Sequence, residues 1–113
     1  MRWLLLFLFS PALAAELFLF TPEGPLRGEA QDGVGAVFGL VYAQAERFAA
    51  PKAARGLRQG PVRACPQPPS LTAQFGGYVP PQEEDCLQVQ VYFPLKAPPR
   101  EGFPGMVFLH GGS

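Results

Sequence analysis

Leu87-Gln88-Val89-Gln90-Val91-Tyr92-Phe93 is followed, after a Pro-rich loop, by Met106-Val107-Phe108-Leu109-His110-Gly111-Gly112-Ser113. In the first stretch Leu87, Val89, Val91 and Phe93 fall on one side, and Gln88, Gln90 and Tyr92 on the other. That period of two predicts a strand with one face on a core. Pro94 ends it, and Lys96 to Pro104 reads as a loop. Met106 to Leu109 is apolar at every position, which predicts a strand buried on both faces. It runs straight into His110-Gly111-Gly112, glycines at a strand end that let a backbone approach a ligand closely. An ordinary glycine turn is the plainer reading of the same residues. A two-sided strand needs neighbours on both edges, so the chain is expected to be one piece of a larger domain.

Upstream, short strands and turns are expected. Leu17 to Phe20, Pro25 to Ala30 and Gly35 to Tyr42 are the strand candidates, with Asp32-Gly33 as a turn signal between the last two. Together they predict a small antiparallel element at the N-terminus. Gln44 to Phe48 has room for one helical turn. From Ala43 to Arg63 small and basic residues dominate, punctuated by Pro51, Gly56, Gly60 and Pro61, and nothing longer than that turn is expected there. The cations Lys52, Arg55, Arg58 and Arg63 read as a solvated surface, since neither interleaved aromatics nor a Gly-rich cradle accompanies them.

Composition agrees with this loop-rich picture. Gly 13 and Pro 14 among 113 residues exclude a helical bundle, while 48% hydrophobic residues exclude a disordered chain. Nine basic residues balance nine acidic ones, for a net charge of zero. That balance argues against a nucleic-acid partner, which calls for a basic surplus.

The first residues read as a targeting segment. Arg2, an unbroken apolar run from Trp3 to Phe9, and Ala12-Leu13-Ala14 come in the order of a secretory signal peptide, residues 1–14, with cleavage expected after Ala14. Pro11 and Glu16 interrupt the run too early for a spanning helix. No Cys near the cleavage site could take a lipid, so no stable membrane anchor is expected. The product is thus expected to be secreted or periplasmic. Export exposes the two cysteines, Cys65 and Cys86, to an oxidising compartment, where a disulfide is favoured over two unrelated thiols. The segment between them, Pro-rich at both ends, carries little sign of regular structure. Metal binding finds no support: His110 is the sole histidine, and neither C-x-x-C nor H-E-x-x-H is present. No cofactor is expected.

The order of motifs resembles the N-terminal part of the type-B carboxylesterases, the carboxylesterase and cholinesterase-like members of the α/β-hydrolase fold. Tyr42-Ala43, Arg47-Phe48 with Pro51, Cys65-Pro66-Gln67, Glu84-Asp85-Cys86-Leu87, and an apolar strand ending in His110-Gly111-Gly112 carry the resemblance. It spans roughly Arg27 to Ser113. One departure stands out, because only Gln44, Ala45 and Glu46 separate the Tyr-Ala and Arg-Phe pairs, where the family has a longer Pro/Gly-rich insert.

The resemblance implies a chain of short β-strands and loops forming the first portion of an α/β-hydrolase domain, residues 15–113, cut before the nucleophile elbow. It implies that Cys65 pairs with Cys86, and that the substrate of the full-length form is a small carboxylic ester. It also implies an oxyanion hole built by Gly111, Gly112 and Ser113, the last two donating backbone N–H groups, with His110 supporting the loop. Glu84 and Asp85 take structural places beside the disulfide. The triad itself is absent from this sequence: Ser10, Ser70 and Ser113 are the only serines, and none stands in G-x-S-x-G. The chain by itself is therefore expected to be inactive. The competing expectation is a small exported non-enzymatic protein, or gene remnant, stapled by one disulfide.

Overall fold

The computed structural model describes residues 14–69 and 71–111. Six elements follow in order: β1 (Ala15–Thr21), β2 (Gly24–Gln31), β3 (Val34–Gln44), β4 (Lys52–Gln59), α1 (Leu71–Gln74) and β5 (Gln88–Pro94). The strands make one antiparallel sheet in which β1, β2, β3 and β4 follow in order and β5 also pairs with β3. The expected antiparallel element at the N-terminus is therefore present.

Local chemistry explains the two hairpins. Gln31 pairs with Val34 across Asp32-Gly33, whose φ angles of 50° and 77° are those of a type I′ turn. The right-handed twist of the flanking strands selects that turn, and Asp-Gly supplies two residues that tolerate it. Between β1 and β2, Thr21 pairs with Gly24, and the Thr21 hydroxyl donates to the Gly24 carbonyl at 2.7 Å.

β3 is the centre of the sheet. Val34 to Ala36 pair with β2 on one edge and β5 on the other, and Leu40 pairs with both Gln59 and Val89. So β2 and β4 share one edge of β3 in succession, and β5 lines the opposite edge. Two glutamines close the breaks in these ladders. Val37 opposes Val91 and Leu40 opposes Val89, so Phe38-Gly39 bulges out against Gln90 alone. The Gly39 N–H then donates to Gln90 Oε1 at 2.9 Å. Gly39 has φ +70°, and a Cβ there would lie 2.0 Å from the Gly60 carbonyl oxygen, so only glycine fits. On the other edge Gln59 bridges the gap between β2 and β4. Its Oε1 accepts from the Arg27 N–H at 3.0 Å, and its Nε2 donates to the carbonyls of Arg27 at 2.6 Å and Phe38 at 2.9 Å.

One sheet layer leaves a thin core. Among the described residues the buried apolar side chains are Leu26, Ala36, Val37 and Ala43, and only Val37, at 1% exposure, is fully enclosed. Register places Leu19, Leu26, Val37, Leu40, Val89, Val91 and Phe93 on one face. Phe38 and Tyr92 lie on the other, their rings edge to face at 5.8 Å. The strand expected over Leu87 to Phe93 forms, but its apolar side is only half covered, with Val89 and Val91 each 40% exposed. Gln88 and Gln90 are instead half-buried and hydrogen-bonded.

Three expectations are corrected. Met106–Leu109 forms no strand and is exposed, with Phe108 at 84%. Its hydrophobicity is suitable, but no strand among the described residues lies beside it to complete a ladder. Gln44–Phe48 is not helical: Gln44 ends β3, and the chain reverses at Arg47-Phe48, with Phe48 at φ 67° and the Ala49 N–H donating to the Glu46 carbonyl at 2.9 Å. And β4 occupies a stretch where nothing longer than a helical turn was expected, because the free edge of β3 supplies hydrogen-bond partners that outweigh the weak strand propensity of Lys, Ala, Arg and Gly. The segment between the cysteines carries one short helix, α1, with the Phe75 N–H donating to Leu71 at 3.0 Å. Among the described residues no helix is long and apolar enough to cross a membrane.

Candidate functional site

The residues singled out by sequence fall into two places. The first is the disulfide region, which the structure assembles fully. Cys65 and Cys86 are bonded, with Cα atoms 5.1 Å apart, as the resemblance implied. At the neck of the loop Ala64 bridges Gln82 in parallel, its N–H donating to the Pro81 carbonyl and its carbonyl accepting from the Glu83 N–H. Gln82 Oε1 accepts from the Gln67 N–H at 3.0 Å. Gln88 ties the segment before Cys65 to β5: its Oε1 accepts from the Arg63 N–H at 3.0 Å, and its Nε2 donates to the Pro61 carbonyl at 2.9 Å.

The acidic pair beside Cys86 is structural here. Glu84 holds the Arg47 guanidinium, which donates from both Nε and Nη2 to one carboxylate oxygen. Asp85 and Glu83 both hold Arg63, at 3.4 and 3.2 Å. These ion pairs are largely solvent-exposed, so each contributes little to stability by itself. Their effect is positional: they fasten the turn after β3, and the entry to Cys65, onto the loop ahead of β5. The sequence contained Arg47 and Glu84 as separate motif members, but no spacing rule links residues so far apart.

The second place is the His-Gly end of the chain. His110 is exposed, and its Nδ1 lies 3.0 Å from the carbonyl oxygen of its neighbour Gly111. Around Gly111 the space is open, with no atom within 4 Å of where a Cβ would stand. Gly112 and Ser113, the expected N–H donors, lie outside the described residues, as do residues 1–13 of the expected signal peptide. Among the described residues no carboxylate or hydroxyl is brought to His110, and no group of three or more metal-ligating side chains forms. Clefts lie elsewhere, two of them beside the turn after β3 and the disulfide region. One of about 610 Å³ is bounded by the turn after β3, by β4 and by Asp85. Another of about 580 Å³ lies between Phe48, Pro66, Glu84 and Leu87. Neither includes His110 or Gly111, so the two places do not meet in one pocket.

Comparison with known proteins is direct about the ancestry of these residues. A para-nitrobenzyl esterase of Bacillus subtilis is 33% identical over 104 residues, covering 82% of this chain and 20% of that protein. A carboxylic ester hydrolase of Gibberella moniliformis is 40% identical over 51 residues, covering 45% of this chain and 9% of that protein. The chain thus spans a fifth or less of the length of these curated relatives. No solved structure matches it significantly. The model of the carboxylesterase family matches residues 15–113, and the chain belongs to that family.

Proposed function

We propose that this chain is the N-terminal part of an exported serine carboxylesterase of the α/β-hydrolase fold, and that His110–Ser113 supplies its oxyanion loop. The family match over residues 15–113 carries the reading. The order of elements supports it: a strand-rich segment, a disulfide loop, and then an apolar run ending in His-Gly-Gly. The substrate class that follows is a small carboxylic ester. Residues 1–14 act as a signal peptide cleaved after Ala14, which delivers the protein to the compartment where Cys65 and Cys86 oxidise.

In this reading the backbone N–H groups of Gly112 and Ser113 point at the oxygen that gains charge when a nucleophile attacks the ester carbonyl. Gly111 shapes the turn, and His110 supports it. Backbone donors suit the role because the carbonyl oxygen of the bound ester is a weaker acceptor than the tetrahedral oxyanion, so the contact favours the transition state over the ground state. Because the donor is backbone, the side chain at position 113 matters little. The attacking serine and its His and Asp or Glu partners must come from elsewhere in the longer protein, since no G-x-S-x-G stands in this sequence.

The test is kinetic. In the full-length enzyme that contains this segment, Gly112→Val tilts the donor and is expected to lower kcat by about 10²–10³ with a much smaller change in KM. An unchanged kcat would remove the oxyanion assignment. The chain of 113 residues alone is expected to turn over an aryl ester no faster than an unrelated chain of similar composition. Mass analysis of the exported product checks the cleavage, with Ala15 expected as the first residue.

A further inference from the structure

The sequence places Lys52, Arg55 and Arg58 three residues apart on β4. On a regular strand that spacing would put Arg55 on the face opposite Lys52 and Arg58. The structure does otherwise. Ala43 pairs with Ala53 and Val41 with Arg58, so the short step from Ala43 back to Val41 on β3 stands against Ala53–Arg58 on β4, and the extra residues bow out of the ladder. Gly56, at φ +69°, turns the chain at the middle of the bow. As a result all three cations line the cleft of about 610 Å³, whose walls are otherwise made largely of alanines such as Ala45, Ala49 and Ala53.

None of the three cationic heads has an ion pair or a hydrogen bond among the described residues, whereas Arg27, Arg47 and Arg63 each have a carboxylate partner. The cleft has two carboxylates: Asp85 is engaged by Arg63, and Glu46 remains on the rim. Like charges gathered at one concavity repel one another, and a bound anion relieves that repulsion. The cleft is of the size that takes a small molecule, and its small side chains leave the room. Guanidinium forks match the oxygens of phosphate and sulfate groups, and three cations call for more charge than one carboxylate carries.

We propose that this cleft is a binding site for a small molecule bearing phosphate or sulfate groups, held by Lys52, Arg55 and Arg58. The site is separate from the proposed oxyanion loop, and its test reads anion binding and not ester hydrolysis. It is tested on the full chain, with its disulfide intact, by following backbone amide resonances during titration with inorganic pyrophosphate at constant ionic strength. Saturable shifts are expected at Ala45, Ala49 and Ala53 to Arg58. Phenyl phosphate and phenyl sulfate, titrated in parallel, distinguish the two sources of the anion.

Arg55→Gln with Arg58→Gln should weaken pyrophosphate binding by about tenfold or more, the loss of two charge-assisted contacts. Lys96→Gln with Arg100→Gln, which removes two exposed cations outside the cleft, should leave it unchanged. Lys52→Gln with Arg55→Gln serves if the first pair disturbs the amide spectrum away from the cleft. No saturable shift, undiminished binding in both cleft variants, or an equal loss in the Lys96/Arg100 variant would overturn the proposal.

Discussion

Two apolar stretches of this chain, Gly35–Val41 in β3 and Met106–Leu109 near its end, end in opposite states. Val37 is 1% exposed and Phe108 is 84% exposed. β3 has a strand on each edge, and its bulge and its strand gap are closed by the amides of Gln90 and Gln59. Met106–Leu109 has none of this. A β-strand is stable only when its N–H and C=O groups find partners, so a suitable side-chain pattern is necessary but not sufficient. The lesson is that edges and bridging polar groups, rather than apolar content, separate the ordered sheet from the bare segment.

The comparison can be broken at its strongest point first. Gly39→Val is expected to cost about 3 kcal/mol or more, because the left-handed backbone and the contact with Gly60 both exclude a Cβ. Urea unfolding followed by circular dichroism would show it, and a midpoint equal to that of the parent chain would mean the bulge does not hold β3 in place. Next in size, replacing Cys65 and Cys86 together by Ser should lower stability by about 3 kcal/mol through the freed loop. The same melt, compared with and without reductant on the parent, measures this loss directly.

A subtler probe is Gln59→Ala, which deletes all three contacts of its amide and leaves the Phe38 carbonyl and both Arg27 backbone groups dependent on water. The expected cost is about 1–2 kcal/mol, since these groups are not deeply buried. Faster hydrogen exchange at Arg27 would mark the loss, and unchanged exchange there would show that β2 and β4 need no bridge. The smallest effect belongs to the bare segment. Phe108→Lys should change stability by no more than about 0.5 kcal/mol, because the ring touches little that the folded chain orders. It should nevertheless reduce hydrophobic-dye binding and self-association, both of which follow exposed apolar surface. A loss of stability comparable to that of Gln59→Ala would show that Met106–Leu109 packs after all.

Much of the sheet was legible because its signals are local. Asp32-Gly33 marks its own turn, and Val89, Val91 and Phe93 mark their own face. β4 was not legible, since nothing in Lys-Ala-Ala-Arg-Gly-Leu-Arg-Gln favours a strand; the open edge of β3 recruits it. The Gln59 and Gln90 bridges escaped for the same reason, because a glutamine on a polar face looks like solvent-facing filler until the break it closes is known. Of the candidate site, the disulfide was readable from two cysteines and an expected export signal, and the motif order implied the same pair, whereas the pairing of Arg47 with Glu84 was not readable. The gathering of Lys52, Arg55 and Arg58 at one cleft was not readable either. A strand of regular period would have separated them.

By itself, then, the sequence determined which residues turn, which strands alternate, where the two cysteines stand and which family supplies the plan. These properties depend on short windows of side-chain chemistry or on the order of motifs. Tertiary structure alone decided that β5 lies along β3, that a poor strand former becomes β4, and that Met106–Leu109 stays bare within this chain. Each of those outcomes turns on whether a distant backbone edge is present to be paired. Hydrogen-bond partners across a sheet are set by the fold and not by any neighbour in sequence.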